Sequence, residues 1–230
     1  MKAFLLAAGH GTRLRPLTDN LPKCLLPIKG TPLLAIWLEQ CRRFGINEVL
    51  VNIHSLAAQV RDFLERNNNG VHVQVVEETA LLGSAGTLRA NANWVAGEDL
   101  FWVFYADVLT RTDLASMLRL HLTRSPAATL GVYRVPRPER CGIVRLDKNN
   151  IVQEFIEKPA RPASNLAFSG LMIATPKLLE AIPQHEPCDI GFDVLPRLNG
   201  LMLAYLIEDY LLDIGTPETY QQAQETWPGS

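Results

Sequence analysis

Near the start of the chain an apolar run meets the stretch Gly9-His10-Gly11-Thr12-Arg13-Leu14-Arg15-Pro16-Leu17-Thr18. Glycines in such a turn let backbone N–H groups approach and wrap a phosphate. Between His10 and Lys29 stand four cations (Arg13, Arg15, Lys23 and Lys29) and one acid, Asp19, in a chain whose net charge is −2. Positive charge gathered this way suits an anionic ligand. Arg15 and Lys29 also fit a solvated basic loop, whereas Lys23 is restrained between Pro22 and Pro27. Three phosphate-binding patterns compete with a plain glycine turn. A dinucleotide fingerprint needs a small residue where Leu14 stands and an acid ending the second strand, which reads Asn52-Ile53-His54. A kinase-type P-loop needs Gly-Lys-Ser/Thr, and the loop has none. The third pattern is a nucleotide loop whose cation is Arg13 itself.

Two carboxylates could complement it. The apolar run Leu100–Tyr105 delivers Asp107 at its carboxyl end. A carboxylate there suits Mg²⁺, which takes one or two protein carboxylates together with phosphate oxygens. Asp213 lies in Leu211-Leu212-Asp213-Ile214-Gly215-Thr216-Pro217, where the competing reading is an ordinary acid at a helix start. The five histidines (His10, His54, His72, His121, His185) show no nucleophile–base pattern. Cys24, Cys41, Cys141 and Cys188 contain no CxxC and read as free thiols of a cytoplasmic protein.

These residues need elements to position them. Lys2–Ala8, Glu48–Ile53, Val71–Val76 and Leu100–Tyr105 read as buried strands. Between them run expected helices: Thr31-Pro32 to about Phe44, Ser55 to about Arg66, and Gly83–Asn93. Thr112-Asp113 opens another, to about Arg124. This alternation predicts an α/β fold with a doubly wound, mostly parallel sheet and helices on both faces. The later part changes character. Ala127–Val135 and Leu166–Ala174 read as strands, and Gly142–Asp147 and Ile151–Glu157 flank the hairpin signal Lys148-Asn149-Asn150. Thr175-Pro176 and Thr216-Pro217 open two more helices. Ligands of such sheets bind beyond the carboxyl ends of the strands, here the loops after Ala8, Val76, Tyr105 and Glu157. The expected organisation is one domain over 1–230, with a nucleotide-binding half to about 110 and a mixed-strand half beyond it.

The run Leu6-Ala7-Ala8-Gly9-x-Gly11-Thr12-Arg13-Leu14-Arg15-Pro16-Leu17-Thr18, followed by Pro22-Lys23-x-Leu25-Leu26-Pro27, resembles the signature of the sugar-1-phosphate nucleotidylyltransferases. Leu82-Gly83-Ser84-Ala85-Gly86-Thr87-Leu88, Ala106-Asp107, Glu157-Lys158-Pro159, Ser169-Gly170 and Asp213-Ile214-Gly215-Thr216-Pro217 extend the resemblance in order along nearly the whole chain. It implies the reaction of an NTP with a sugar 1-phosphate to give an NDP-sugar and pyrophosphate, with Mg²⁺ as cofactor. By the same resemblance, the backbone of Ala8, Gly9, Gly11 and Thr12 cradles the nucleotide, and Arg13 and Lys23 hold the triphosphate. Gly83 lets the base approach, and Asp107 and Asp213 hold the metal. Gly142 and Glu157 meet sugar hydroxyls, Lys158 grips the sugar phosphate, and Gly170 with Asn165 lines the sugar pocket. Relatives that carry a C-terminal β-helix are longer, so the chain reads as a catalytic domain without one, a monomer or homodimer.

Glu77-Glu78 ends the third strand, five residues before Gly83. A carboxylate only accepts hydrogen bonds, which suits the adjacent N1–H and N2 amino donors of guanine. GTP is therefore the expected nucleotide, and the resemblance of the acidic run before Leu82-Gly83-Ser84-Ala85-Gly86 to guanylyl-transferring relatives that act on mannose 1-phosphate implies that sugar phosphate. UTP- or dTTP-dependent transfer to glucose 1-phosphate or another sugar phosphate, and guanylyl transfer to heptose 1-phosphate, are the alternatives. A non-catalytic nucleotide-sugar-binding subunit would be marked by loss of Arg13, Lys23 or a metal carboxylate, and all are present. A glycosyltransferase would carry Asp-x-Asp where the chain has Asp107-Val108-Leu109. Composition excludes other classes. With 20% charged residues and a slight acidic excess, the chain is no general nucleic-acid binder. No run reaches the length of a membrane-spanning helix.

Overall fold

The structure, a computed structural model, describes residues 1–229. The fold is α/β, with a central, mostly parallel sheet flanked by helices. The chain divides into two compact units, one of residues 1–81, 104–111 and 209–230, the other of 82–103 and 112–208.

The first unit is built on parallel strands. Lys2–Leu6 pairs with Glu48–Ile53, which pairs in turn with His72–Glu77. The first two strands are almost wholly buried, in keeping with their unbroken apolar runs. The helix Leu33–Arg43 buries Leu33, Leu34, Ile36, Trp37, Leu38 and Cys41, and ends with Arg42 and Arg43, favourable charges at a helix C-terminus. Trp37 stacks on Phe104 with ring centroids 4.7 Å apart. Its Nε1 donates to the carbonyl of Val108 over 2.9 Å, which pins the strand end that carries Asp107. Val108–Thr110 pairs antiparallel with Leu211–Asp213, setting Asp213 opposite Val108. Leu14, Leu26, Ile28, Leu33, Ile36, Leu109, Ile214, Ala223 and Trp227 form one buried cluster around these segments.

The second unit is mixed. Leu166–Ala174 runs antiparallel to Ala128–Arg134, which pairs in parallel with Met202–Leu206. The hairpin expected around Lys148-Asn149-Asn150 forms between Gly142–Leu146 and Val152–Glu157. Asp147 accepts from the backbone N–H groups of Asn149 and Ile151 and so closes the turn.

Two helix starts differ from expectation. Thr31–Pro32 is a short strand paired with Pro27–Ile28, and the helix begins at Leu33. Ser55 caps no helix; Leu56, in a left-handed conformation, precedes the helix Ala57–Arg66. The Ser55 hydroxyl instead lies 2.9 Å from His10 Nδ1. The expected helix 83–93 is Ser84–Ala90 followed by a 3₁₀ turn, Ala92–Val95.

Candidate active site

In the first unit the glycine loop leaves the strand Lys2–Leu6 and turns sharply at Gly11, whose φ is +65°. Its carbonyl accepts from Leu14 N–H and from the Thr18 hydroxyl, at 2.9 and 2.8 Å. A Cβ at Gly11 would lie 3.0 Å from Thr18 Cγ2 and 3.2 Å from Lys23 Cβ, so both backbone angle and space require glycine. Ala8 is buried, while Gly9, Thr12 and Arg13 are exposed. Leu14 roots the loop in the core.

Four charged residues are brought together here. Lys23 Nζ lies 2.5 Å from Asp107 Oδ2. Ile214 N–H donates to the Asp107 carbonyl over 2.8 Å, which ties the two carboxylate-bearing segments backbone to backbone. Asp213 keeps contact with solvent at the surface. Even so, desolvation by the protein packed around it, followed by the Asp107 charge, pushes its carboxyl up to about 6, with Lys23 and Arg13 pulling the other way. A Cβ on Gly215 would sit 2.5 Å from Asp213 Oδ1 and 3.1 Å from Arg13 Nη2. Gly215 therefore leaves open the space between the Asp213 carboxylate and the Arg13 guanidinium. It is held by the following helix, Pro217–Thr226, which opens with a capping box between Thr216 and Thr219. The Thr219 hydroxyl also accepts from Gly215 N–H at 3.1 Å. Two carboxylates at one place, each facing a cation, are a donor set of hard oxygens that fits a divalent ion such as Mg²⁺.

Glu78 is buried. Its Oε1 accepts from Asn52 Nδ2 at 2.8 Å, and Asn52 Oδ1 accepts from Ala7 N–H at 2.7 Å. One amide thus bridges the end of the first strand and the Glu78 carboxylate. His54 Nδ1 lies 2.7 Å from the Glu78 carbonyl. These contacts fix Glu78 relative to the glycine loop.

The second unit holds the other residues singled out. Glu157 Oε2 occupies the space a Cβ on Gly142 would need, and equally that of a Cβ on Gly191, each at 2.5 Å. Desolvation raises the Glu157 carboxyl, Lys158 opposes that rise and Asp189 adds to it. Lys158 Nζ is 3.8 Å from Glu157 Oε1 and 5.4 Å from the ring centre of Phe192, which is exposed. Gly170, at φ +80°, sits where the pairing of Leu166–Ala174 with Ala128–Arg134 shifts register. The Asn165 side chain is engaged by Arg134, 3.1 Å away. The missing side chain at Gly83 makes room for the chain itself, because a Cβ there would run into the backbone of Cys188.

Sequence reasoning missed Asp189 and Gly191. Asp189 Oδ2 accepts from the Ser84 hydroxyl at 2.8 Å, and Oδ1 accepts from the N–H groups of Gly191 and Phe192. Their sequence signal is Asp189-Ile190-Gly191, an acid and a glycine flanking one apolar residue, and it says nothing of Glu157 or Ser84 until the chain has folded.

A model of the Nucleotidyl transferase family matches residues 2–228. The chain is 32% identical over 228 residues to "Probable mannose-1-phosphate guanylyltransferase 1" of Oryza sativa subsp. japonica, covering 96% of this chain and 63% of the relative. It is 32% identical over 241 residues to the UTP–glucose-1-phosphate uridylyltransferase of Synechocystis sp., covering 97% of this chain and 62% of that protein. The chain thus spans somewhat less than two thirds of these relatives' lengths. The solved structure of HddC from Yersinia pseudotuberculosis complexed with GMP-PN superposes with a TM-score of 0.83 at 25% identity, covering 98% of this chain and 99% of that one. With its glycine loop, its ordered motifs and a family match over almost its full length, the chain belongs to the nucleotidyl transferase family.

Proposed function

We propose that this protein transfers a nucleotidyl group from an NTP to a sugar 1-phosphate, releasing pyrophosphate, with GTP and mannose 1-phosphate as its substrates. One observation carries the reading: Arg13, Lys23, Asp107 and Asp213 act on one another electrostatically at the foot of a glycine loop. Both the names of relatives and a GMP-PN complex of a similar structure support it.

The chemistry requires little beyond positioning and charge. A phosphate monoester has a second pKa near ~6, so the attacking oxygen is already anionic at neutral pH and needs no general base. That oxygen forms a bond to the α-phosphorus as the bond to the bridging α–β oxygen breaks, and the electron pair leaves with pyrophosphate. A divalent cation bound by Asp107 and Asp213 would supply neutralisation of the charge that develops on the phosphates. Arg13 and Lys23 bind the triphosphate and stabilise the departing pyrophosphate. In the second unit Glu157 accepts from sugar hydroxyls, and Lys158 pairs with the sugar phosphate.

Among the described residues no helix is long and apolar enough to cross a membrane. All four cysteines are free thiols, which supports action in the reducing cytoplasm.

The test is a matrix of GTP, UTP, dTTP and ATP against mannose, glucose and heptose 1-phosphates with Mg²⁺, followed by pyrophosphate release. The expected result is highest kcat/KM for GTP with mannose 1-phosphate. No pyrophosphate from any pair would overturn the enzymatic reading, and preference for UTP with glucose 1-phosphate would overturn the substrate assignment.

A further inference from the structure

After the helix Pro176–Glu180 the chain brings together three side chains that the reaction above does not use. His185, Cys188 and Asp193 offer an imidazole nitrogen, a sulfur and a carboxylate oxygen that all lie within 4.8 Å of one another. His185 Nε2 is 3.5 Å from Asp193 Oδ1, and Nδ1 is 3.2 Å from the carbonyl oxygen of Pro187. A carbonyl only accepts, so Nδ1 is assigned the proton, and in the neutral ring Nε2 turns its lone pair toward the cluster. A backbone carbonyl holding the far nitrogen is the means by which metal-binding histidines are oriented. Two acceptors then face each other across the cluster. A proton on His185 would reconcile those two, and the Cys188 thiol hydrogen-bonds Asp193, a proton that a bound cation displaces. A borderline divalent cation engages all three, since thiolate and imidazole together select Zn²⁺-like ions over Mg²⁺.

We propose that His185, Cys188 and Asp193 form a binding site for Zn²⁺ or a cation of the same class, with water as the fourth ligand. Metal–ligand bonds of about 2.0–2.3 Å in a tetrahedron place ligand atoms roughly 3.3–3.8 Å apart, so the present cluster has to contract by about 1 Å at its widest. Two of the three ligands are already anchored. Asp193 Oδ2 accepts from Asp189 N–H at 2.7 Å. The Cys188 carbonyl accepts from Ala85 and Gly86 N–H at 2.9 and 3.1 Å, and its own N–H donates to Leu82. His185 is exposed, so its ring supplies both the movement and the route of entry. The nearby cation, Arg89, is paired: it donates to the carbonyls of Pro183 and His185, and to Glu186 Oε1 at 2.6 Å. As the metal–sulfur bond forms, the Cys188 proton leaves to solvent, so affinity rises with pH. A bound ion would cross-link the segment that carries Asp189 and Gly191, the neighbours of Glu157.

The site is tested by titrating the purified full chain with Co²⁺ and following the thiolate-to-Co²⁺ charge-transfer absorption. Saturation at one equivalent is expected, with persistence in excess Mg²⁺ and bleaching by Zn²⁺. Cys188→Ser should abolish the band, Cys141→Ser should retain it, and His185→Ala should weaken binding by roughly tenfold or more. His185→Ala alters an exposed side chain, so it keeps the test valid if Cys188→Ser fails to fold. A wild-type protein without the band, a band that survives Cys188→Ser in the folded state, or an unchanged affinity in His185→Ala would each overturn the proposal.

Discussion

The Lys23 ammonium lies 2.5 Å from Asp107 Oδ2, across 84 residues of sequence. Both groups belong to the phosphate chemistry proposed above, and each limits what the other can do. Lys23 pairs with Asp107 before substrate arrives, and on the proposed function it would be shared with phosphate oxygens once a triphosphate binds. Asp107→Asn keeps the size of the side chain and removes its charge. It is expected to lower kcat by at least ~100-fold, because metal-assisted charge stabilisation supplies several kcal/mol of the barrier reduction. Single-turnover rates at saturating Mg²⁺ are the measurement. Wild-type turnover by this variant, or by the wild type in excess chelator, would remove Asp107 from the metal site.

Gly215→Ala tests the space between Asp213 and Arg13. The added methyl would stand 2.5 Å from Asp213 Oδ1 and 3.1 Å from Arg13 Nη2, so at least one of them must shift. A displacement of about 1 Å in a positioned catalytic group lowers the rate by roughly 100-fold. Kinetics with the preferred substrates, alongside thermal unfolding, separate this from general destabilisation. Loss of activity with an unchanged unfolding midpoint is the expected result.

Asp213 also makes a prediction about pH. In the metal-free protein its folded-state pKa is raised from 3.8 to about 6. The unfolded chain therefore gives up this proton more readily than the folded one. Stability from the protonated group is fully present below pH 3.8 and is lost as pH rises through about 6. With EDTA present, the denaturation midpoint of wild type relative to Asp213→Asn should fall between these pH values, and Mg²⁺ should restore it near neutrality. Parallel profiles for the two proteins would show that Asp107 and desolvation do not set the Asp213 charge.

Local signals in the sequence succeed where the deciding partner is three residues away. Thr31-Pro32 and Thr216-Pro217 are the same dipeptide with different outcomes. Thr219 stands three residues after Thr216 and closes a capping box, whereas Leu34 stands three after Thr31 and has no group to reciprocate. Thr31 joins a strand instead. Ser55 is lost as a cap for a similar reason: its hydroxyl lies beside His10, 45 residues away. The four charged residues of the first unit are legible as types near strand ends and helix starts. Their meeting is not, because it depends on Leu211–Asp213 pairing with Val108–Thr110, about 100 residues apart in the chain. Asp189 stayed hidden because its partners, Ser84 and the space beside Glu157, also come from distant segments.

Arg13 and Lys158 should separate kinetically. Charge on pyrophosphate grows in the transition state, so Arg13→Ala is expected to lower kcat. The sugar phosphate is charged from the start, so Lys158→Ala is expected to raise KM for that substrate with a smaller change in kcat. Lys158 is exposed and its nearest acid is 3.8 Å away, so its loss should leave the fold intact. An Arg13→Ala variant with altered KM for NTP and unchanged kcat would refute the division.

Glu78→Gln isolates the proposed reader of the base. Asn52 Nδ2 donates to Glu78 Oε1, and a glutamine oxygen can accept that bond, so the bridge through Asn52 to Ala7 N–H survives the substitution. What changes is the other terminal atom, from an acceptor to an NH₂ donor. A carboxylate offers acceptors only, which match the N1–H and N2 amino donors of guanine. With glutamine one of those donors meets a donor. Uracil and thymine, which offer two carbonyls about one N–H, are matched better by the amide. A buried polar mismatch costs about 1–3 kcal/mol, or roughly 5–150-fold in relative kcat/KM. Glu78→Gln should therefore reduce the preference for GTP over UTP by a factor in that range. An unchanged ranking would mean that the backbone, rather than Glu78, reads the base. Asn52→Asp supplies the complementary arm. It keeps an oxygen for Ala7 N–H and sets a second carboxylate against Glu78, so it should weaken binding of every nucleotide alike and leave the ranking intact.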